Sequence, residues 1–412
     1  MQLDINFVRQ QFGQLSDDPK LVFASNAGGS YVCNQVNELM EHYNRHTRVQ
    51  PYSNFAPSNT AGEAMDRAKQ LWADALNIKL SELTVGPSTS MNTYVMSHAI
   101  GDGWGPGDEV IVTDQDHEAN IGAWRRKAEE KGATIRTWHA DQETGLLAAE
   151  DLHGLLNEHT RWVFFTHCSN IAGTANPVAA ITMDVKRLSS ARVFIDAVAY
   201  APHHICDLKA LGVDAYTFSL YKVFGPHQSL LYTSSELQAE LKSQAHYFLE
   251  GDVSKYVNPA GPQHAQVAAC GGVIDYFNQL HTHHFGNAEA TAPEKMADLH
   301  GLIHQHEKQL TEPLLDYLAN HKDIRVIGKT SVDDEDRAPT IAFKPLRQSS
   351  AELAAKLQGG GIGTENGDFY ASRLIERVGI DRPDGVVRIS LLHYNLLEDV
   401  TTIIEKLDAA LV

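Results

Sequence analysis

The sequence predicts an α/β fold in which a large domain with a mainly parallel sheet is followed by a smaller α+β domain. Two observations lead to this prediction. Apolar runs recur between about residues 80 and 235, and several are separated by helix-like stretches, an alternation typical of a parallel sheet covered by helices. In addition, 412 residues exceed the length that one compact core usually accommodates, which favours a second domain.

The predicted strands of the large domain are seven apolar runs, in chain order ELTVGPS, DEVIVTD, TIRTWHA, RWVFFTHCS, RVFIDAV, AYTFSLY and QSLLYTS. Between them, HEANIGAWRRKAEEKG and AAEDLHGLLNEHT predict helices. Strands that feed helices place their functional loops at the carboxyl edge of the sheet. We therefore expect the functional side chains at that edge.

A long helical pattern begins near residue 264, and mixed patterns follow it. IRVIGKT, TIAFKPL and GVVRISL predict strands, whereas SAELAAKLQGGG and LEDVTTIIEKLDAALV predict helices. We expect an N-terminal segment of residues 1–20 packed on the small domain, a large domain of residues 21–290 and a small domain of residues 291–412. The HTHHFG stretch at a helix end is expected to be solvated polar surface.

Charge restricts the partners. Lys and Arg number 34 against 52 Asp and Glu, a formal charge of -18, which opposes binding to nucleic acid or to an anionic membrane. A small-molecule substrate fits better. The first residues lack the basic start and apolar run of a secretory signal, and no apolar stretch is long enough to span a bilayer. These features predict a cytoplasmic protein.

The four cysteines, Cys33, Cys168, Cys206 and Cys270, are scattered and form no CxxC motif. Their spacing favours reduced, mostly buried thiols over a disulfide framework, and no metal site is predicted.

One lysine, Lys222, follows the predicted strand AYTFSLY and precedes the turn signal Gly225-Pro226. Burial there would lower its pKa and make a neutral nucleophile available for Schiff-base chemistry. Asp196 ends another apolar strand, where it could face a cationic ring nitrogen. Taken singly, the lysine could equally extend from a strand end towards solvent and the aspartate could be a turn residue.

Five ordered blocks carry a resemblance to a known family: DHEANIGAW, THCSNIAGTANPV, IDAVAYAPH, FSLYKVFGP and VVRISLLHYN. They resemble blocks of the class V aminotransferases, fold-type I pyridoxal-phosphate enzymes that include cysteine desulfurases, selenocysteine lyases and kynureninase-like enzymes. The resemblance extends from about residue 20 to the end of the chain. It implies pyridoxal 5'-phosphate as cofactor, an amino acid or amine as substrate, and a homodimer.

The resemblance also implies roles for single residues. Lys222 would form the aldimine with the cofactor, Asp196 would face the pyridinium nitrogen, and His117 would stack on the ring. The remaining residues are implied to hold the cofactor or the substrate: Ser88, Thr89, Asn170, Ser219 and Tyr221 for the cofactor, and Arg388, Asn26 and Tyr370 for the substrate, with Arg388 on its α-carboxylate.

The sequence departs from the desulfurase pattern in the loop TENGDFYASRL. Tyr370 stands where desulfurases have the cysteine that accepts sulfur, and no cysteine follows Cys270. Ala199 replaces the usual glutamine near the cofactor, and Gly261 and Gln263 are the nearest matches to a threonine that reaches the partner subunit's phosphate. The blocks GDFYA and LLHYN resemble the cysteine-desulfurase-like branch that lacks the catalytic cysteine.

These features lead to one main hypothesis, a pyridoxal-phosphate enzyme of the aminotransferase class V type. Transamination, β-elimination with C–S or C–Se cleavage, and epimerisation share its first steps and remain open. A catalytically idle relative that acts as a binding protein is the alternative from another class. A nicotinamide dehydrogenase is disfavoured because no strand is followed by GxGxxG.

Overall fold

The structure, a computed structural model, describes residues 1–17, 20–249, 251–286, 289–332 and 337–411. Its strands are β1 Val22–Phe23, β2 Leu83–Gly86, β3 Glu109–Thr113, β4 Thr134–Trp138, β5 Thr160–Thr166, β6 Arg192–Asp196, β7 Ala215–Ser219, β8 Ser229–Thr233, β9 Ile324–Ile327, β10 Thr340–Pro345, β11 Ile362–Gly363, β12 Glu365–Gly367 and β13 Val386–Ser390. Its helices are α1 Ile5–Gln10, α2 Asn34–His46, α3 Ala56–Ala75, α4 Thr89–Gly101, α5 Glu118–Lys131, α6 Ala149–His153, α7 Val178–Leu188, α8 Leu208–Leu211, α9 Ser235–Gln238, α10 His264–Ala269, α11 Gly271–Phe285, α12 Ala292–Asn320, α13 Ser350–Gly359, α14 Ser372–Arg377 and α15 Leu397–Ala410.

The central sheet has seven strands in the order β2-β8-β7-β6-β5-β3-β4. Strands β3 to β7 pair in parallel, and β8 runs antiparallel to both β7 and β2. The seven apolar runs of the sequence correspond to these seven strands, so the predicted α/β class with a mainly parallel sheet is confirmed.

Both faces of this sheet are covered, which explains why its strands are apolar almost throughout. Along β5 the side chains alternate between the two faces. Phe164 packs with Trp124 of α5, whose ring stacks on it at a centroid distance of 4.3 Å, whereas Val163 and Phe165 belong to the core on the opposite face. Two buried layers therefore fix the sheet, and its carboxyl edge is held rigidly.

A second sheet, with the order β12-β13-β10-β9, is antiparallel. Its apolar face packs against α12, α13 and α15 in a separate core. The pair β1 and β11 is parallel and brings residues near the N-terminus beside the second sheet. The predicted domain limits at residues 20 and 290 stay a prediction. No helix among the described residues is both long and apolar enough to cross a membrane.

The HTHHFG stretch at the end of α11 is not simply solvated surface, as was expected. The ring of His281 is fully buried, and the His283 ring stacks on Phe7 of α1 at 4.0 Å. The backbone N–H of Asp4 donates to His284 Nε2 at 2.8 Å. The expectation was wrong because α1, which the sequence analysis did not predict, docks on this helix end.

Two predicted elements are shorter than their sequence patterns. The stretch AAEDLHGLLNEHT forms a helix only over Ala149–His153. Strand β7 ends at Ser219, and Lys222 lies three residues later, in a single turn of 3-10 helix, Leu220–Lys222. Lys222 is thus held by a turn beyond the strand.

Two helical glycines offer a test of this packing. A Cβ on Gly272 of α11 would lie 2.6 Å from the backbone nitrogen of Val36 in α2, whereas a Cβ on Gly301 of α12 would meet nothing within 4 Å. We expect Gly272→Ala to lower the free energy of unfolding by about 1–3 kcal/mol because it overpacks this contact. Gly301→Ala should raise it by about 0.5–1 kcal/mol because it reduces the entropy of the unfolded chain. Urea denaturation of both variants measures the difference, and equal effects would contradict the close approach of α2 and α11.

Candidate active site

A cavity with an empty volume of about 520 Å³ lies at the carboxyl edge of the seven-stranded sheet. It is lined by residues that follow β2, β3, β5, β6 and β7, which meet there because the parallel strands all end at this edge. All eight residues predicted to hold the cofactor line this cavity. The full set of lining residues is Ser88, Thr89, Ser90, His117, Ala119, Thr166, Cys168, Asn170, Asp196, Val198, Ala199, Ser219, Tyr221 and Lys222.

The Lys222 side chain is 8% exposed. Its turn is tight: the N–H groups of Val223 and Gly225 both donate to the Leu220 carbonyl, at 2.8 and 2.9 Å. Burial lowers the pKa of Lys222 to about 8, and the positive charge of Arg388 acts in the same direction, whereas Asp196 opposes it. Within the described part of the chain, no carboxylate pairs with this amine at 4 Å or less. About a tenth of this amine is therefore neutral at pH 7, roughly three hundred times the fraction expected at the ordinary pKa of a lysine.

Asp196 ends β6 and is buried. Burial raises the pKa of its carboxyl to about 6, while the N–H of Val198, which donates to Oδ1 at 2.9 Å, and the charge of Lys222 lower it. The carboxylate thus has one oxygen engaged by the backbone. The arrangement suits an acid that pairs with a cation entering the cavity.

The ring of His117 caps the first turn of α5. Its Nδ1 accepts from the N–H of Ala119 at 2.9 Å, which leaves the proton on Nε2. Burial lowers the pKa of His117 to about 4, and the charges of Lys222 and Arg388 add to this effect. The ring is therefore neutral and lines the cavity, where it could stack on a heteroaromatic ring.

A cluster of hydroxyl groups closes the end of the cavity at the start of α4. Thr89 Oγ1 lies 2.8 Å from Ser219 Oγ and 2.9 Å from Ser229 Oγ. Ser88 caps the helix by accepting from the N–H of Met91 at 3.2 Å. The first N–H groups of a helix favour an anion, and hydroxyls beside them add donors. This end of the cavity fits a phosphate group.

Tyr221 and Asn170 both line the cavity. The Tyr221 ring stacks on His227 at 4.6 Å. Burial raises the pKa of the Tyr221 phenol, which also forms a hydrogen bond with Ser219. The Asn170 amide donates to the carbonyl of Phe369 at 3.0 Å. This amide is therefore bonded to a loop of the second sheet, an interaction that the sequence analysis did not predict.

Arg388 lies on β13 and is 3% exposed. Its Nη1 donates to the Asn170 carbonyl at 3.1 Å, whereas its buried Nε has no hydrogen-bond partner among the residues that the structure describes. Burial lowers its pKa to about 10. A buried cation with an unpaired N–H is costly unless an anion completes it. The guanidinium edge thus fits a carboxylate.

The two other residues predicted to contact substrate differ in their surroundings. The Tyr370 side chain is 71% exposed, and its ring lies 5.3 Å from that of His117. The Asn26 amide is fully engaged within the chain, because its Nδ2 donates to the Ser390 carbonyl at 2.8 Å and its Oδ1 accepts from the Tyr394 hydroxyl. A role of Asn26 towards substrate stays a prediction.

Sequence reasoning missed several residues of the site. Thr166 and Cys168 line the cavity. They are two residues apart at the end of RWVFFTHCS, and this spacing, which places strand side chains on the same face, was a usable signal. Asp116 is fully buried; its Oδ1 accepts from the Asn120 amide at 2.6 Å, and burial raises the pKa of its carboxyl to about 7. No signal in the sequence distinguished it from a helix cap.

Comparisons with known proteins agree on one family. The family model "Aminotransferase class-V" matches residues 22–403. An aminotransferase-like protein of Gibberella zeae is 35% identical, over 99% of this chain and 98% of its own. A cysteine desulfurase-like protein of Aspergillus flavus is 27% identical, over 98% and 90%.

The fold recurs in solved cysteine desulfurases. One from Escherichia coli has a TM-score of 0.82 at 21% identity, with 99% of this chain and 98% of that chain covered. One from Thermococcus onnurineus has a TM-score of 0.84 at 20% identity, with 98% and 97% covered.

The residues present fit the cofactor of this family. The cavity combines a desolvated amine at Lys222, a buried carboxyl at Asp196, a flat neutral ring at His117 and a hydroxyl-lined helix start at Thr89. These groups match the aldehyde, the ring nitrogen, the ring face and the phosphate of pyridoxal 5'-phosphate. The chain belongs to the class V aminotransferase family and is a pyridoxal-phosphate-dependent enzyme.

Proposed function

We propose that this enzyme transfers the amino group of an α-amino acid and that Lys222 carries the cofactor. The observation that supports the proposal most directly is the buried Lys222 amine, which shares its cavity with Asp196 and is close enough to Arg388 for the guanidinium charge to lower the pKa of the amine. An attachment amine, a ring-nitrogen acid and a carboxylate receptor are the three groups that amino-acid chemistry on this cofactor needs.

In this proposal each side chain of the site has a separate role. When bound, pyridoxal phosphate supplies an aldehyde for amine attachment and a ring that withdraws electrons from the bonds at Cα. Asp196 stabilises positive charge at the ring nitrogen, and His117 restricts the ring from one side. Arg388 binds the α-carboxylate through its N–H edge and orients Cα.

Lys222 has a second task once the substrate amine has displaced it. Its amine, with a pKa of about 8, would accept the proton from Cα of the substrate, as a general base matched to neutral pH. The burial that makes it a nucleophile thus also makes it a proton carrier.

Amino transfer is preferred over cysteine desulfuration because the chain has no suitable thiol in its described part. All four cysteines are free and buried, and burial raises the pKa of Cys33 and of Cys168 to about 12. The thiolate is the species that accepts sulfur. The first relative named above is called aminotransferase-like, which also supports this choice.

A single-turnover experiment tests the proposed reaction. The enzyme loaded with pyridoxal phosphate is mixed with a panel of L-amino acids, and the absorbance of the bound cofactor and the release of keto acid are followed. We expect one keto acid per cofactor and no further product until a second keto acid is added. Continuous release of keto acid with ammonia or sulfide would instead establish an eliminating lyase and would contradict amino transfer.

The pH dependence of cofactor attachment follows from the lowered pKa of Lys222. The neutral amine attacks the aldehyde, so the rate of attachment to the cofactor-free protein should rise with pH below about 8 and level off above it. With free Nα-acetyl-lysine, whose side-chain amine has an ordinary pKa, the rate of attachment should keep rising until the pH reaches about 10.4. Borohydride fixation after each reaction measures attachment.

Lys222→Ala should show no fixed cofactor at any pH, which makes it the matched control. Fixation on that variant, or a wild-type rate that keeps rising to pH 10, would contradict the assignment of Lys222.

We also infer that the enzyme is a homodimer. The support is a pair of aromatic side chains, Tyr247 and Phe248, which are 89% and 78% exposed in the single chain. Adjacent aromatic residues exposed to this extent are typical of surfaces that a partner covers. A cytoplasmic location stays a prediction.

Substitution at this pair tests the dimer. The wild-type chain should sediment at twice the mass of 45.4 kDa, and Tyr247→Asp with Phe248→Asp should shift the mass towards one chain, because two charges would be buried in the interface. Met183→Asp is the matched control, since Met183 on α7 is 71% exposed and away from this pair. A wild-type monomer, or a double variant that stays dimeric, would contradict the inference.

A further inference from the structure

A short loop, here called the strap, crosses from the second sheet to the cavity. It consists of residues 368–370. Phe369 and Tyr370 have φ angles of +47° and +61°, although neither is a glycine. Two consecutive left-handed residues with bulky side chains store backbone strain that the surrounding contacts must offset.

Hydrogen bonds within the strap and from the edge of the cavity hold it in this conformation. Asp368 Oδ1 accepts from the N–H of Tyr370 at 3.0 Å. The Phe369 carbonyl accepts from the Asn170 amide at 3.0 Å, and the Tyr370 carbonyl accepts from the N–H of Glu118 at 2.8 Å. The last donor is an otherwise unpaired N–H in the first turn of α5. The strained residues are thus tied to two residues at the edge of the cavity.

The strap places the ring of Phe369 over the guanidinium of Arg388. The distance from the ring centroid to Arg388 Cζ is 3.7 Å. The ring therefore covers one face of the guanidinium and excludes water from it, while Nη1 is held by the Asn170 carbonyl at 3.1 Å. The buried Nε is left without a partner. Contact on the face and bonding at one corner fix the plane of the group and leave part of its N–H edge for a ligand.

We propose that Phe369 is a positioning residue that fixes the plane of the Arg388 guanidinium, so that the site selects amines bearing an α-carboxylate. This inference rests on the proposed function. A guanidinium that is already oriented and desolvated loses less entropy when it binds a carboxylate, and the pair is stronger in a dry environment. An amine that lacks the carboxylate does not use this edge. The contribution of Phe369 is therefore specific to carboxylated substrates.

The experiment compares two probes that differ only in the carboxylate, L-alanine and ethylamine. Each is titrated into the cofactor-loaded enzyme, and the absorbance of the bound cofactor gives the Kd. With Phe369→Leu, we expect the Kd of L-alanine to rise about three- to tenfold, in line with the loss of a desolvated cation–π contact, and the Kd of ethylamine to change less than twofold. Phe369→Tyr keeps an aromatic face over the guanidinium and should therefore keep the wild-type Kd for L-alanine.

Two further variants calibrate this measurement. Phe285→Leu is the matched control, because Phe285 is another half-buried ring stacked on a polar side chain, His281, at 4.8 Å. It should change neither Kd. Arg388→Ala gives the largest expected rise in the Kd of L-alanine, since it removes the whole preference for L-alanine over ethylamine. Thermal melting of each variant identifies any loss that comes from unfolding.

The outcomes separate this inference from the proposed function. If Phe369→Leu raises both Kd values equally, or neither, the positioning role is overturned while the role of Arg388 stands. If wild-type enzyme binds L-alanine no better than ethylamine, Arg388 is not the carboxylate receptor and the inference fails with it. If neither of these probes nor any L-amino acid of the panel changes the cofactor absorbance of the wild type, the proposed function itself is overturned.

Discussion

The cost of burying one amine is the constraint on which this site depends. Lys222 lies beyond the end of a central strand, in a turn that two N–H groups close on the Leu220 carbonyl. Burial without a paired carboxylate lowers its pKa to about 8, and a buried amine of this kind in a cavity is a candidate for covalent attachment or proton transfer. The two packed layers on the faces of the sheet hold the turn in place, so the Lys222 amine stays buried and desolvated.

The remaining charges are arranged around that amine. Asp196 ends the strand beside β7, and Arg388, on a strand of the other sheet, is near enough for its charge to act on the Lys222 amine. Each is buried, and the pKa of each is displaced towards its neutral form, to about 6 and about 10. A site with incompletely paired buried charges of both signs is poorly stable without its ligands. Binding of a cofactor that is cationic at one end and of a substrate that is anionic at the other would relieve both costs, so such ligands would stabilise the fold as well as react.

The sequence predicted the large sheet well and the surroundings of Arg388 poorly. Each central strand is buried on both faces, so its apolar run is visible without tertiary information. By contrast, β1, β11 and β12 have two or three residues and exist only because partner strands pair with them. The left-handed Phe369 and Tyr370 carry no glycine signal, because tertiary hydrogen bonds impose their conformation. The eight cofactor residues were found through resemblance, since a lysine or an aspartate at a strand end is ambiguous taken singly.

The loop TENGDFYASRL differs from the desulfurase pattern in more than the absence of a cysteine. Tyr370, which the resemblance to desulfurases predicts in place of that cysteine, is exposed beside His117, while Phe369 next to it covers Arg388. A loop that carries a thiol to the substrate must move, whereas this loop is bonded at both carbonyls to residues of the large domain. Its conformation therefore holds Phe369 against Arg388 and Tyr370 beside His117. A fixed loop of this kind is compatible with the proposed amino transfer, because the steps at Cα that we assign to Lys222 and Arg388 need no protein thiol.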